Sequence, residues 1–150
     1  MRSMILALVF AGGMANGQAP QRQDILNYQL TLPLANRLIT AMEAMTKYVV
    51  SLPDFKERLA KQGKMTSAEQ VATVEKDPKA MAILKQNGLT AQEYLVGVPT
   101  LRMALIVASP GGAPAPSIYA SPANVAFAKA NYAQLKPKMD AADGVSAAKK

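Results

Sequence analysis

The chain has 150 residues and no His or Cys, so it lacks the commonest general base, the thiol nucleophile, any disulfide and the usual zinc ligands. Half of the residues are hydrophobic, only 5% are aromatic, and the β-branched residues are scattered rather than alternating, a composition that favours helices over sheet. The formal charge of +7 is dispersed, without the clustered Lys and Arg interleaved with aromatics of a nucleic-acid footprint, so no nucleic-acid partner is expected.

Residues 1–19, MRSMILALVFAGGMANGQA, place one basic residue before an apolar run from Met4 to Phe10 and end on small residues. This is the pattern of a secretory signal peptide cut after Ala19, and it predicts a periplasmic or secreted address. The run is too short for a transmembrane helix, which needs about 20 residues. Pro99 and Arg102 break the other long apolar stretch, so no transmembrane span is expected in the mature chain. Without Cys, the domain at 20–136 must be held by packing alone.

Residues 20–31 begin polar and then give Ile25, Leu26, Tyr28 and Leu30, which fits a short helix opened by Asp24 or an extended lead-in. From Pro33, a good first-turn residue, Leu34, Leu38, Ala41, Met42, Met45 and Val49 form a stripe at helical spacing opposite Arg37, Thr40, Glu43 and Lys47. Ser51 with Asp54 offers a cap for a helix that buries Phe55 and Leu59 and stops at Gly63. Thr66 and Glu69 have capping-box spacing ahead of a short helix carrying Val71 and Val74. Asp77-Pro78 opens the next helix, which buries Met81 and Leu84 and ends at Gly88.

Residues 90–108 form the most apolar stretch after the leader and the predicted centre of the fold. Thr90 and Glu93 repeat the capping box, Leu89 can staple onto Tyr94, and Gly88 suits the left-handed end of the preceding helix. Beyond the cap no polar face remains, so other helices should surround this one. Gly97 and Pro99 interrupt it; Pro99 has no N–H for the carbonyl of Leu95, and a kink or local unwinding is expected near Val98.

Residues 109–120, SPGGAPAPSIYA, are too rich in Pro and Gly for regular helix and read as a long loop. Ser121-Pro122 opens the last helix, in which Val125, Ala128, Tyr132 and Leu135 share a face. Pro137 is expected to end it, leaving 137–150 as a disordered tail. The architecture these elements predict is all-α: a small bundle of about five to six helices around a kinked apolar central helix.

Two stretches, NGLTAQEYLVGV at 87–98 and SPANVAFAKANYAQL at 121–135, together with the leader, resemble a loosely defined group of small, functionally uncharacterised exported α-helical proteins of Gram-negative bacteria. The resemblance implies an exported helical domain and carries no catalytic residue.

Asp54, Glu69, Asp77 and Glu93 each have a use at a helix start, so no acid pair with separated pKa values is evident and an enzyme is not expected. Met42 and Met45 would present two thioether sulfurs on one helical face, a weak Cu(I) candidate, although adaptable core packing explains the same positions; no cofactor is expected. Arg102 inside an apolar helix needs a carboxylate, a carbonyl or a ligand as partner. A cavity at the Gly97 to Pro99 break would gather Tyr94, Gly97, Pro99 and Arg102 around a small apolar or anionic ligand, whereas a close helix crossing explains the same glycine. In the loop, Pro114, Pro116, Ile118 and Tyr119 are candidate contacts for a partner. Elimination favours a non-enzymatic interaction protein of the bacterial envelope, its partner an unknown envelope protein or cell-wall component, and a periplasmic small-ligand carrier is the alternative. The first reading requires an exposed apolar patch, the second a pocket between helices.

Overall fold

Helix-start chemistry fixes where the elements begin. Thr66 and Thr90 each accept the N–H of the Glu three residues on, Glu69 at 3.3 Å and Glu93 at 3.1 Å, and each Glu carboxylate takes the Thr N–H in return at 2.7 and 2.8 Å. Asp77 accepts the Lys79 and Ala80 N–H groups, both at 3.1 Å, ahead of a first-turn Pro78. The computed structural model describes residues 19–111 and 120–144, and these are all-helical, with no strand. In chain order the helices are α1 (Ala19–Asn27), α2 (Leu32–Val50), α3 (Phe55–Gln62), α4 (Ser67–Glu75), α5 (Pro78–Gln86), α6 (Ala91–Ala108) and α7 (Pro122–Gly144). The leader expected at 1–19, apart from Ala19, lies outside the described residues, as do 112–119 of the loop and 145–150 of the tail.

Helix α6 packs on α7, α2, α1, α4 and α5, the surroundings its unbroken apolar face requires. Leu101 and Leu105 on α6, Leu38 and Met42 on α2, Leu84 on α5 and Leu135 on α7 are among the fully buried side chains of the core. The α6 helix continues through Gly97 and Pro99 without the local unwinding expected at Val98. The glycine marks a close approach: a Cβ on Gly97 would lie 2.8 Å from both Leu38 Cδ2 and the Tyr28 hydroxyl. At the α5–α6 joint Gly88 adopts φ +64°, the left-handed conformation expected of it, and its carbonyl accepts Arg37 Nη1 at 3.2 Å.

Four expectations need correction. Pro137 does not end the last helix; α7 runs on to Gly144 and buries Met139 and Ala142. A mid-helix proline costs about 3 kcal/mol. Burying these two residues against the core, with an ion pair from Asp143 to Arg102, offsets that cost, while Pro137 itself faces solvent. Ser51 does not start a helix but closes α2, and Asp54, the residue before α3, makes no capping hydrogen bond and instead holds Arg58 at 2.8 Å. Phe55, Leu59 and Met81 are only half-buried. The lead-in at 20–31 resolves into α1 with Asp24 inside it rather than at its cap.

One polar side chain joins the two ends of the bundle. Asn124, 2% exposed, donates through Nδ2 to the Tyr28 carbonyl at 2.6 Å and accepts the Leu30 N–H on Oδ1 at 3.0 Å. It thereby ties the α1–α2 connection to the first turn of α7.

Candidate functional site

Helix α3, FKERLAKQ, brings only Phe55 and Leu59 as large apolar side chains and buries no residue fully. It cannot fill the space against its neighbours, and a cavity of about 360 Å³ lies there. Met42, Met45, Tyr48 and Val49 of α2 form one wall, and Tyr94, Leu95 and Arg102 of α6 the next. Phe55, Arg58 and Lys61 of α3, Met65, and Gln70, Thr73 and Val74 of α4 close the other sides, with Asp54, Asp77 and Asp143 at the polar margins. A volume of this size sits at the lower end of small-molecule sites, and a mainly apolar wall with a few polar groups is their usual composition.

At one margin, Asp77 is fully engaged. Tyr48 donates its hydroxyl to the carboxylate, 2.8 Å from Oδ2 and 3.0 Å from Oδ1, the same group caps α5, and Arg58 Nη1 stands 3.8 Å away. Burial acts to raise the Asp77 carboxyl, but hydrogen bonds from Ala80, Tyr48 and Lys79, with the charge of Arg58, outweigh it and leave the group below the usual aspartate range. The hydrogen bond to Asp77 in turn pushes the Tyr48 phenol upward. Lys79 Nζ lies 4.9 Å from the centre of the Tyr48 ring, a cation–π contact that helps to fix it.

At the other margin, Arg102 extends between α2 and α7. Its Nη2 is 2.6 Å from Asp143 Oδ1 and 3.6 Å from Met42 Sδ, and its side chain is only 17% exposed. Burial pushes the Asp143 carboxyl up despite the attraction of Arg102, and nearby Asp140 adds to the rise. The pair thus holds two charges in a site that costs them hydration, which is the usual balance for a buried ion pair. Burial likewise raises the Tyr94 phenol, so this wall residue stays neutral.

Of the residues singled out in the sequence, Tyr94 and Arg102 line the cavity together with Met42 and Met45. Gly97 and Pro99 are buried and do not line it. Pro114, Pro116, Ile118 and Tyr119 lie outside the described residues. Among the described residues no group of three His, Cys, Asp or Glu could hold a metal, and Met42 Sδ lies 3.6 Å from Arg102 Nη2, whose positive charge opposes a Cu(I) ion there. The exposed large hydrophobic side chains among the described residues are Val50 and Ile106. No described helix is long and apolar enough to cross a membrane.

Sequence reasoning missed Tyr48, Arg58 and Asp143 as site residues. Asp143 was legible: Leu135, Met139 and Ala142 continue the α7 stripe at spacings of four and three, past the proline taken as a stop. Tyr48 and Asp77 are 29 residues apart, and no local pattern links them. No family model, curated protein or solved structure matches the chain.

Proposed function

We propose that this is a small-molecule binding protein that holds a mainly apolar ligand in the cavity between α2, α3, α4 and α6, acting as an exported carrier rather than as an enzyme. The observation that supports the reading is the cavity itself, about 360 Å³, with Met42, Met45, Phe55, Met65 and Leu95 in its wall and Arg102 at its margin. Methionine suits such a wall because its flexible thioether adapts to the shape of an occupant. Helix α3 supports it too, since a wall that buries no residue fully is the least costly one to move when a ligand enters. Docking of an envelope protein has less support among the described residues, where the exposed large hydrophobic side chains, Val50 and Ile106, do not amount to the apolar patch such a surface needs. Export rests on the composition of residues 1–19.

The test is native mass spectrometry of the protein recovered from its own host, followed by denaturing mass spectrometry of the same sample. A non-covalent addition of a few hundred daltons, with an N-terminus near Pro20, is the expected result. A protein-sized addition would move the assignment to an interaction module.

A further inference from the structure

We propose that the occupant is a monocarboxylate with a short apolar chain, and that its head group takes Arg102 by exchange with Asp143. This rests on reading the cavity as a ligand site, and it names what that site selects.

The charges in the wall are not equivalent. Asp54 is held by Arg58 at 2.8 Å, and Asp77 is committed to Tyr48 and to the first turn of α5. Releasing Asp77 would cost a helix cap and a packed tyrosine, and releasing Asp54 would strand Arg58, so both carboxylates stay engaged. Arg102 differs because it lies beside apolar wall, next to Met42 Sδ and on the same helix as Tyr94 and Leu95. Its carboxylate partner, Asp143, keeps 35% of its side chain exposed. Asp143 can therefore return to water when another anion arrives, and burial already disfavours its charged form.

A ligand carboxylate offers the guanidinium the same planar pair of acceptors that Asp143 provides, so the exchange leaves no cation unpaired. An alcohol head would leave the ion pair in place and gain nothing from it. An ammonium head would meet the charge of Arg102, and the carboxylates in the lining, Asp54, Asp77 and Asp143, are already engaged by Arg58, Tyr48 and Arg102. The apolar chain then lies along Met42, Met45 and Phe55, where the flexible thioethers adapt to its shape.

The test is a titration of the full chain carrying ¹³C-methyl methionine, followed by NMR at the Met42 and Met45 methyls, with octanoate, octan-1-ol and octylammonium as probes. Octanoate is expected to shift both methyls saturably and to bind about tenfold or more tightly than octan-1-ol, with octylammonium weakest. Asp143→Asn removes the competing carboxylate and should tighten octanoate several-fold while leaving octan-1-ol unchanged, an effect that structural damage would not produce. Arg102→Met should abolish the preference for the acid; if that variant fails to fold, Asp143→Asn and the three probes still decide the matter. Equal binding of acid and alcohol, or weaker octanoate binding by Asp143→Asn, would overturn the exchange while leaving the cavity a ligand site. Failure of every probe to shift either methyl would overturn both readings.

Discussion

Replacing Gly97 with Ala sets two effects of opposite sign against each other. An alanine inside a helix is favoured over glycine by about 1 kcal/mol, so on propensity alone Gly97→Ala should stabilise α6. The new Cβ, however, would lie 2.8 and 2.9 Å from the two terminal carbons of Leu38 and 2.8 Å from the Tyr28 hydroxyl. Carbon atoms pack comfortably at about 3.5–4.0 Å, so Leu38 would have to retreat by most of an ångström. Leu38 is 0% exposed and has nowhere to go without moving α2, whereas the half-buried Tyr28 can swing outward. Overpacking of this kind costs about 1–3 kcal/mol, and with two side chains crowded the upper part of that range applies. The net expectation is a loss of about 1–2 kcal/mol, or a fall in Tm of roughly 2–8 °C for a chain of this size. Urea unfolding followed by circular dichroism should show a lower midpoint with an unchanged slope. A rise in Tm of a few degrees would mean that propensity wins, and the close approach of α6 to α2 would be refuted.

The same site makes a second expectation. The Tyr28 hydroxyl is buried with no hydrogen-bond partner among the described residues, so Tyr28→Phe should be neutral or stabilising by about 1 kcal/mol. In Tyr28→Phe/Gly97→Ala the combined loss should be smaller than the sum of the two, since one of the crowded atoms is gone.

Other perturbations test the rest of the frame. Asn124→Ala leaves the Tyr28 carbonyl and the Leu30 N–H without their partner, and at about 1–3 kcal/mol for each group the loss should reach about 2–6 kcal/mol in urea unfolding. Thr90→Ala removes one half of the α6 capping box and should cost about 1 kcal/mol, measured in the same way. Asp77→Asn keeps a capping oxygen and removes the charge. Because the folded Asp77 carboxyl lies below its ordinary value, the stability it adds is fully present above the unfolded value of about 3.9 and fades as pH falls through the folded one. The gap between wild type and Asp77→Asn should therefore be open at neutral pH and close in strong acid; a gap that stays constant would assign the deficit to packing.

The helical class was legible in the sequence because it rests on local signals. The two capping boxes, Asp77-Pro78 and the positive-φ Gly88 each act within a few residues, and each appears where the spacing predicts it. Pro137 misled because a local breaking rule was applied where tertiary burial of Met139 and Ala142 decides the outcome. Asn124 was not legible at all: its partners lie 94 and 96 residues away, and nothing near it marks the position as buried.

The cavity shows the same division between local and tertiary control. A glycine and a proline in an apolar helix suggest empty space, yet a missing side chain leaves a void only if nothing can move in, and protein interiors are packed too closely to leave one unfilled. At Gly97, Leu38 and Tyr28 close the gap, and the glycine permits a helix crossing instead of a pocket. Space remains where a short, charged helix must cover a wide apolar face. Helix α3 has two large apolar side chains with which to cover the Met42, Met45 and Val49 side of α2 together with Leu95 of α6. Its composition, rather than any interruption in α6, sets the position of the cavity, and Arg102, four residues beyond Val98, reaches that cavity because its side chain points toward α2 and α7.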